Sequence, residues 1–316
     1  MADKIKIGIS ACLLGNNVRY NGGHQLDRYV RDTLGQFFDF LPVCPEVECG
    51  LPVPREAMRL VGDPSYPKLL TSRTGIDHTQ RMVSWAKRRV SELDKEALCG
   101  FIFKKDSPSS GMQRVKVYSG KGMPQRKGSG MFARVFMDYF PRIPVEEDGR
   151  LHDPRLRENF IERIFALSRW RNLVSRRRDM GRLVDFHTRE KLLLLSHSPN
   201  HYRQMGKLVA RGKSSAISDL YDTYEKHYMA ALSLKATPAK NTNVLHHILG
   251  FFKKQLSSDE KHEMLEIIDL YRKGLVPLIV PVTLANHYVR KYRQPYLALQ
   301  SYLNPHPVEL KLRNHV

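Results

Sequence analysis

Cys44-Pro45-Glu46 places a thiol and a carboxylate within three residues, where the apolar run Phe40–Val43 stops. Pro45 cannot extend a strand ladder, so Cys44 belongs at the strand's carboxyl end, where open α/β sheets keep their chemistry. Two further apolar runs end alike. Lys4–Ser10 leads into Ala11-Cys12, and Leu98–Phe103 leads into Lys104-Lys105-Asp106-Ser107-Pro108-Ser109-Ser110-Gly111. Three strand ends converging on one pocket would join Cys12, Cys44 and Glu46 to Ser107, Ser109 and Ser110. Thiols at equivalent strand ends suit a soft metal or a cluster, although a lone strand-end cysteine is more often a small buried hydrophobe. Cys44 and Cys49 also have a spacing found in iron–sulfur proteins, which two cysteines alone specify weakly. Cys99, inside the third apolar run, reads as core.

The elements that must position these groups follow from punctuation and period. After Cys12 the stretch LLGNNVRYNGGH is a loop offering Arg19 and Tyr20, a cation and a ring suited to clamping a base or a phosphate. Helical spacing over His24–Leu34 predicts the crossover a parallel strand pair needs. Arg55–Ser72 is Pro-rich and reads as irregular, Thr79–Leu93 as a helix, Val115–Tyr118 as a strand, Gly120–Gly130 as a glycine-rich basic loop, and Met131–Tyr139 as a helix. That loop lacks the P-loop pattern. The charged turn Pro144–Gly149 is taken as a boundary between residues 1–147 and 148–316. Beyond it Asp153-Pro154 signals a helix start, and helices are expected over Gly181–Ser196, Pro199–Arg211, Ile217–Leu234, Thr242–Leu256, Ser258–Lys273, Val282–Tyr292 and Tyr296–Leu303. The predicted fold is thus an α/β N-terminal domain with a parallel, Rossmann-like sheet, followed by an all-α domain.

Composition narrows the partners. With 52 Lys plus Arg against 32 Asp plus Glu, the 316-residue chain carries a formal charge of +20. Residues 1–150 hold 24 basic and 17 acidic side chains, leaving 28 and 15 for the remainder, so the excess is +7 and then +13. Such an imbalance predicts a polyanionic partner, nucleic acid before membrane, gripped mainly by the second half. Candidate phosphate contacts are Arg169, Arg171, Arg176, Arg177, Arg178, Lys207, Arg211 and Lys213, each of which reads singly as a solvated helix charge. No segment has the length and apolarity of a membrane span, and Met1–Lys4 leads directly into a strand. The expected location is the cytoplasm, where the four cysteines stay reduced.

Longer matches sharpen the picture. Ser10-Ala11-Cys12-Leu13-Leu14-Gly15, Arg19-Tyr20-Asn21-Gly22, Cys44-Pro45-Glu46-Val47 with Gly50-Leu51-Pro52, and Ser107-Pro108-Ser109-x-Gly111 together resemble the thiouracil desulfidase family over about residues 1 to 145. The second half resembles the helical domain of unknown function often fused to it, through His152-Asp153-Pro154 with Arg157-Glu158-Asn159-Phe160, Phe186-His187 with Lys191, Asn243-Val244-Leu245-His246, Val276–Pro281 and Leu312-Arg313-Asn314. Such fusions look like bacterial enzymes that remove sulfur from 4-thiouridine in tRNA. The resemblance implies a [4Fe–4S] cluster on three cysteines with one open iron. It makes Cys12 and Cys44 ligands, Glu46 the acid/base that activates water, and Ser107 a hydrogen-bonding or proton-relaying partner. Arg19, Tyr20 and Arg55 become candidates for holding substrate. The family's third ligand is a cysteine where this chain has Ser110, a harder and weaker donor. Three readings stay open: a deliberate substitution in an active enzyme, a natural variant in which Cys49 serves as ligand, or a domain that has lost catalysis and only binds RNA. Activity on free thiouracil or thionucleosides is the remaining alternative.

Overall fold

The computed structural model describes residues 4–119, 123–212 and 216–315. The chain divides into two units, Met1–Phe160 and Ile161–Val316, so the division falls beyond the charged turn. In the first unit the order is β1 (Ile5–Ser10), β2 (Phe38–Val43), α1 (Pro45–Glu48), β3 (Met58–Val61), β4 (Lys68–Thr71), α2 (Thr79–Asp94), β5 (Phe101–Phe103), β6 (Val115–Tyr118), β7 (Gln125–Gly128), α3 (Met131–Tyr139) and β8 (Val145–Glu147).

The three apolar runs form the expected parallel sheet, with strand order β2-β1-β5-β8. β1 and β2 are in register from Ile5 opposite Phe38 to Ser10 opposite Val43, which brings the residues before Cys12 and Cys44 side by side. A side chain at Gly8 would collide with the Phe101 ring, so glycine is what lets β1 and β5 close. Beneath them Phe101, Phe103, Phe132 and Phe136 are fully buried, with Phe101 and Phe136 centroids 4.7 Å apart and Trp85 packed 5.3 Å from Phe132. These rings and the apolar face of α2 fix the strand ends by close packing.

Three stretches depart from the sequence expectation. The crossover helix over His24–Leu34 shrinks to a π turn at Tyr29–Thr33 and a 3-10 turn at Leu34–Gln36. Its first residues are engaged elsewhere: the amides of Gln25 and Asp27 donate to the carbonyls of Cys12 and Leu13, each at 2.9 Å. Arg55–Ser72 contains β3 and β4, and Gly120–Gly130 contains β7; with β6 they build a second sheet ordered β4-β3-β6-β7. Gly120, Lys121 and Gly122 lie outside the described residues. Within the boundary turn, Val145–Glu147 is a parallel edge strand against β5; Glu146 is neutralised by Arg150 at 2.6 Å, and Glu147 is satisfied by the Met112 amide, which donates to it at 2.8 Å.

The helices of the second half are α4 (Pro154–Val174, which contains the division), α5 (Met180–His197), α6 (Pro199–Ala210), α7 (Ile217–Ser233), α8 (Pro238–Phe251), α9 (Ser258–Arg272), α10 (Ile279–Lys291) and α11 (Pro295–Ala298). Side-chain caps start them where the sequence places Ser, Thr or Asp: Asp179, Ser198 and Thr237 each accept the amide three residues on, and Ser257 with Glu260 forms a capping box. The helix expected over Tyr296–Leu303 is only the single turn α11. Trp170 stacks on Tyr224 at 5.1 Å in this core. Two charged clusters also tie the helices of this half together. Arg169 meets Glu190, which also accepts from Tyr228 and Ser301, and Glu162 sits between His197 and Arg313. Among the described residues no helix is long and apolar enough to cross a membrane.

Candidate active site

The carboxyl ends of β1, β2 and β5 border one cavity of 370 Å³, and its walls carry Cys12, Cys44, Glu46, Ser107 and Ser110 together with Arg19, Tyr20 and Arg55. Cys12 lies in a 3-10 turn directly after β1, and Cys44 is the residue before α1, whose first position is Pro45. The backbone amide of Cys44 donates to Glu48 at 2.8 Å, and Arg89 holds the other Glu48 oxygen at 3.0 Å. A carboxylate four residues on therefore pins the cysteine from behind. The Ser107–Gly111 turn is seated on the start of α3, where Met131 donates to the Pro108 carbonyl and Phe132 to that of Ser109. Gly130 has no room for a side chain, because a Cβ there would strike the Ser109 backbone.

Glu46 is held on both sides. The Ser109 hydroxyl donates to Oε1, Arg55 Nη2 stands 3.8 Å from Oε2, and the Cys44 thiol points at Oε2 from 3.6 Å. Arg55 is fixed in turn, donating to the Val18 carbonyl at 3.0 Å, and its backbone amide donates to the Tyr20 carbonyl at 2.7 Å. Burial, reinforced by the negative charge of Glu46, pushes the Cys12 thiol up to about 11 and the Cys44 thiol up to about 12. Lys104 and Arg19 partly offset this at Cys12, and Lys104 also pairs with Asp148 at 3.2 Å. Tyr20 is 44% exposed, with the Arg19 guanidinium 5.7 Å from its ring centre. Together they form a cation-backed aromatic face at the cavity.

Ser107 lines the cavity and its Oγ accepts the amides of Ser109 at 3.3 Å and Ser110 at 3.0 Å, which shapes the turn, while the hydroxyl bonded to Glu46 is that of Ser109. One sequence assignment changes. Cys49 does not reach the cavity as a substitute ligand: it is absent from the lining, and its thiol is directed 3.2 Å to the Glu46 carbonyl. Glu48 and Lys104 are site residues the sequence did not single out, and Ser109 was placed at the pocket without a role of its own. The i to i+4 spacing of Cys44 and Glu48 on a helical turn was the available signal for one of them.

A family model described as 2-thiouracil desulfurase matches residues 7–148. The N-terminal segment is thus a 2-thiouracil desulfurase domain. A second model, described as a protein of unknown function (DUF1722), matches residues 191–307. YbgA of Escherichia coli (strain K12), an uncharacterized protein, is 34% identical over 161 residues, covering 51% of this chain and 95% of YbgA. YbbK of Bacillus subtilis (strain 168), likewise uncharacterized, is 26% identical over 147 residues, 44% of this chain and 95% of YbbK. A solved [4Fe–4S]-dependent thiouracil desulfidase, TudS, is 28% identical, with 48% of this chain and 95% of that chain covered and a TM-score of 0.40.

The donor set at the cavity is two thiols and a hydroxyl. Among the described residues no three His, Cys, Asp or Glu side chains are grouped to hold a metal ion, so position 110 leaves the site one thiolate short of a three-cysteine cluster. In the second half, Arg176, Arg177 and Arg178 are exposed, as are Lys207 and Arg211, while Arg171 is half-buried. Arg169 faces inward as a forked pair with Glu190 at 2.8 and 3.0 Å and a bond to the Pro305 carbonyl, so its guanidinium is not offered to phosphate. Lys213 lies outside the described residues.

Proposed function

We propose that the chain hydrolyses the thiocarbonyl of a 4-thiouridine in tRNA, giving uridine and sulfide. The reading rests on one observation: the two thiols, the carboxylate and the cation-backed ring line a single cavity at three strand ends, and the Ser109 hydroxyl is bonded to that carboxylate from just outside the lining. The pyrimidine lies on Tyr20 with Arg19 behind the ring. Glu46, oriented by Ser109 and Arg55, takes a proton from water as its oxygen adds to C4. Collapse of the adduct breaks the C–S bond, so one water enters and one hydrogen sulfide leaves with no net change of oxidation state. A [4Fe–4S] cluster held by Cys12 and Cys44, with the Ser110 hydroxyl as a weak third donor, would supply a thiophilic Lewis acid for the exocyclic sulfur. A base within duplexed tRNA must be turned out of its stack to enter, and the charge excess of the second half supports an RNA substrate.

The test is anaerobic turnover by the reconstituted full chain, with sulfide release and 4-thiouridine loss measured on tRNA and on free 4-thiouracil. Faster turnover per site on tRNA supports the proposal. Turnover of the free base that is indifferent to added tRNA replaces it with a free-thiouracil desulfidase, which the family's name favours. Binding of tRNA with no sulfide release, even after Ser110→Cys, leaves only an RNA-binding protein.

A further inference from the structure

In the second unit, α5, α6, α8 and α11 enclose a separate cavity of 380 Å³ that the desulfuration chemistry does not use. One wall is aromatic. Phe251 and Tyr296 stack with centroids 4.9 Å apart and planes inclined by 21°, Tyr202 also lines the cavity, and Phe251 is 42% exposed. A stacked ring pair left open to solvent is costly for the fold and useful to a planar ligand. The other wall is cationic, carrying Lys191, Arg203 and His247 with the exposed amide of Asn243. Among the described residues no acidic side chain lines this cavity, and neither Lys191 nor Arg203 is ion-paired. Lys191 also borders a neighbouring cavity of 360 Å³ in which His187 Nε2 is buried without a hydrogen-bond partner. Rings on one side and unpaired cations on the other are what a single nucleotide requires, and 380 Å³ falls in the range of small-ligand pockets.

We propose that this cavity takes one unstacked nucleotide of an RNA strand, its base on the Phe251–Tyr296 pair and its phosphate between Lys191 and Arg203. Asn243 is positioned to bond the base edge. The assignment deepens the RNA reading above, but it does not depend on desulfuration, because every residue lies away from the thiol cavity in sequence and in lining.

The experiment is fluorescence-anisotropy binding of an unmodified tRNA transcript to the full chain across a salt series, paired with turnover of free 4-thiouracil. Phe251→Ala should weaken binding about fivefold or more with the salt slope unchanged, since stacking carries no charge. Lys191→Ala and Arg203→Ala should each flatten the log–log salt slope by about 0.7, the value for one phosphate on a single strand. Phe251→Trp should bind like the parent, which separates loss of a ring from loss of the fold. Free-base turnover should not change in any of the four. Parental affinity and slope in all three alanine variants would overturn the proposal. So would equal losses of slope in Phe251→Ala and Arg203→Ala, which would mark general charge attraction. Should the parent bind tRNA in this way yet release no sulfide from any substrate, the nucleotide site stands and the desulfidase reading falls.

Discussion

Replacing Glu46 with glutamine removes one negative charge from a cavity that holds two protonated thiols, and it should move two observables in opposite directions. The Cys44 sulfur is 3.6 Å from Glu46 Oε2. Two unit charges that close interact by about 4 kcal/mol at an effective dielectric of 20, equivalent to about three decades in an acid constant. Water in the cavity screens part of this, so a tenfold rise in the Cys44 thiolate fraction is the smallest change expected. In the parent, a thiol at about 12 is ionised in roughly one molecule in 10⁴ at pH 8. Alkylation by iodoacetamide follows that fraction, so mass-spectrometric mapping on the metal-free chain should find Cys44 labelled at least tenfold faster in Glu46→Gln. Turnover should fall by about 10²- to 10⁴-fold, the usual contribution of a positioned base. Stability should suffer little, by about 1–2 kcal/mol, less than for most severed buried pairs. Arg55 explains this, since it keeps its bonds to the carbonyls of Val18 at 3.0 Å and Pro52 at 3.3 Å. Unchanged or slower labelling in a folded variant would refute the electrostatic account of the cavity, and turnover within a few-fold of the parent would remove Glu46 from the chemistry.

Ser110→Cys completes a three-thiol set and should raise iron after anaerobic reconstitution toward about four per chain, with a matching gain in turnover. Iron and sulfide analysis checks it, and no gain in either counts against a cluster at this cavity. Gly130→Ala drives a methyl into the Ser109 backbone, and should lower both turnover and the first unit's melting temperature, an overpacking cost of about 1–3 kcal/mol. In the second unit, burial opposes ionisation of Glu162, but His197 and Arg313 overcome it and hold the carboxyl down at about 2. Because its folded value lies below the unfolded one, the stabilisation, about 3 kcal/mol, is present above about pH 5 and is lost as pH falls toward 2. Glu162→Gln should flatten the acid limb of a pH–denaturation profile and cost about 3–5 kcal/mol at neutral pH by leaving Arg313 without its carboxylate.

The strand ends were legible because each apolar run halts at a residue that cannot continue it: Cys12 before a glycine turn, Pro45 after Cys44, the Lys104–Asp106 turn after β5. The helical half was legible through its period and punctuation: predicted bounds fall within three residues of the observed ones for α5, α6, α7, α9 and α10, whereas α8 starts four residues earlier than expected, behind the unread Thr237 cap, and ends five earlier. The second sheet was not. β3, β4 and β7 are four residues each, Gln125–Gly128 is polar throughout, and pairing of β3 with β6 joins segments more than fifty residues apart, which no local period reports. Serines at 107, 109 and 110 are chemically alike in sequence, and only the seating of their turn on α3 decides which hydroxyl meets Glu46. Arg169 misled for a similar reason, its partner Glu190 lying on another helix.

The Ser107–Gly111 turn takes its shape from neighbours alone: Pro108 and Ser109 carbonyls bonded to α3, the Ser107 oxygen on two amides, and glycines at 111 and 130. Residue 110 contributes its amide, and its side chain is left out of that scaffolding. Serine and cysteine codons can differ by one nucleotide, so a lineage carrying this loop can trade a hydroxyl for a thiol, or back, with almost no penalty to folding. Retention of a cofactor at this cavity thus hangs on a single codon, while the turn that presents residue 110 keeps its shape either way.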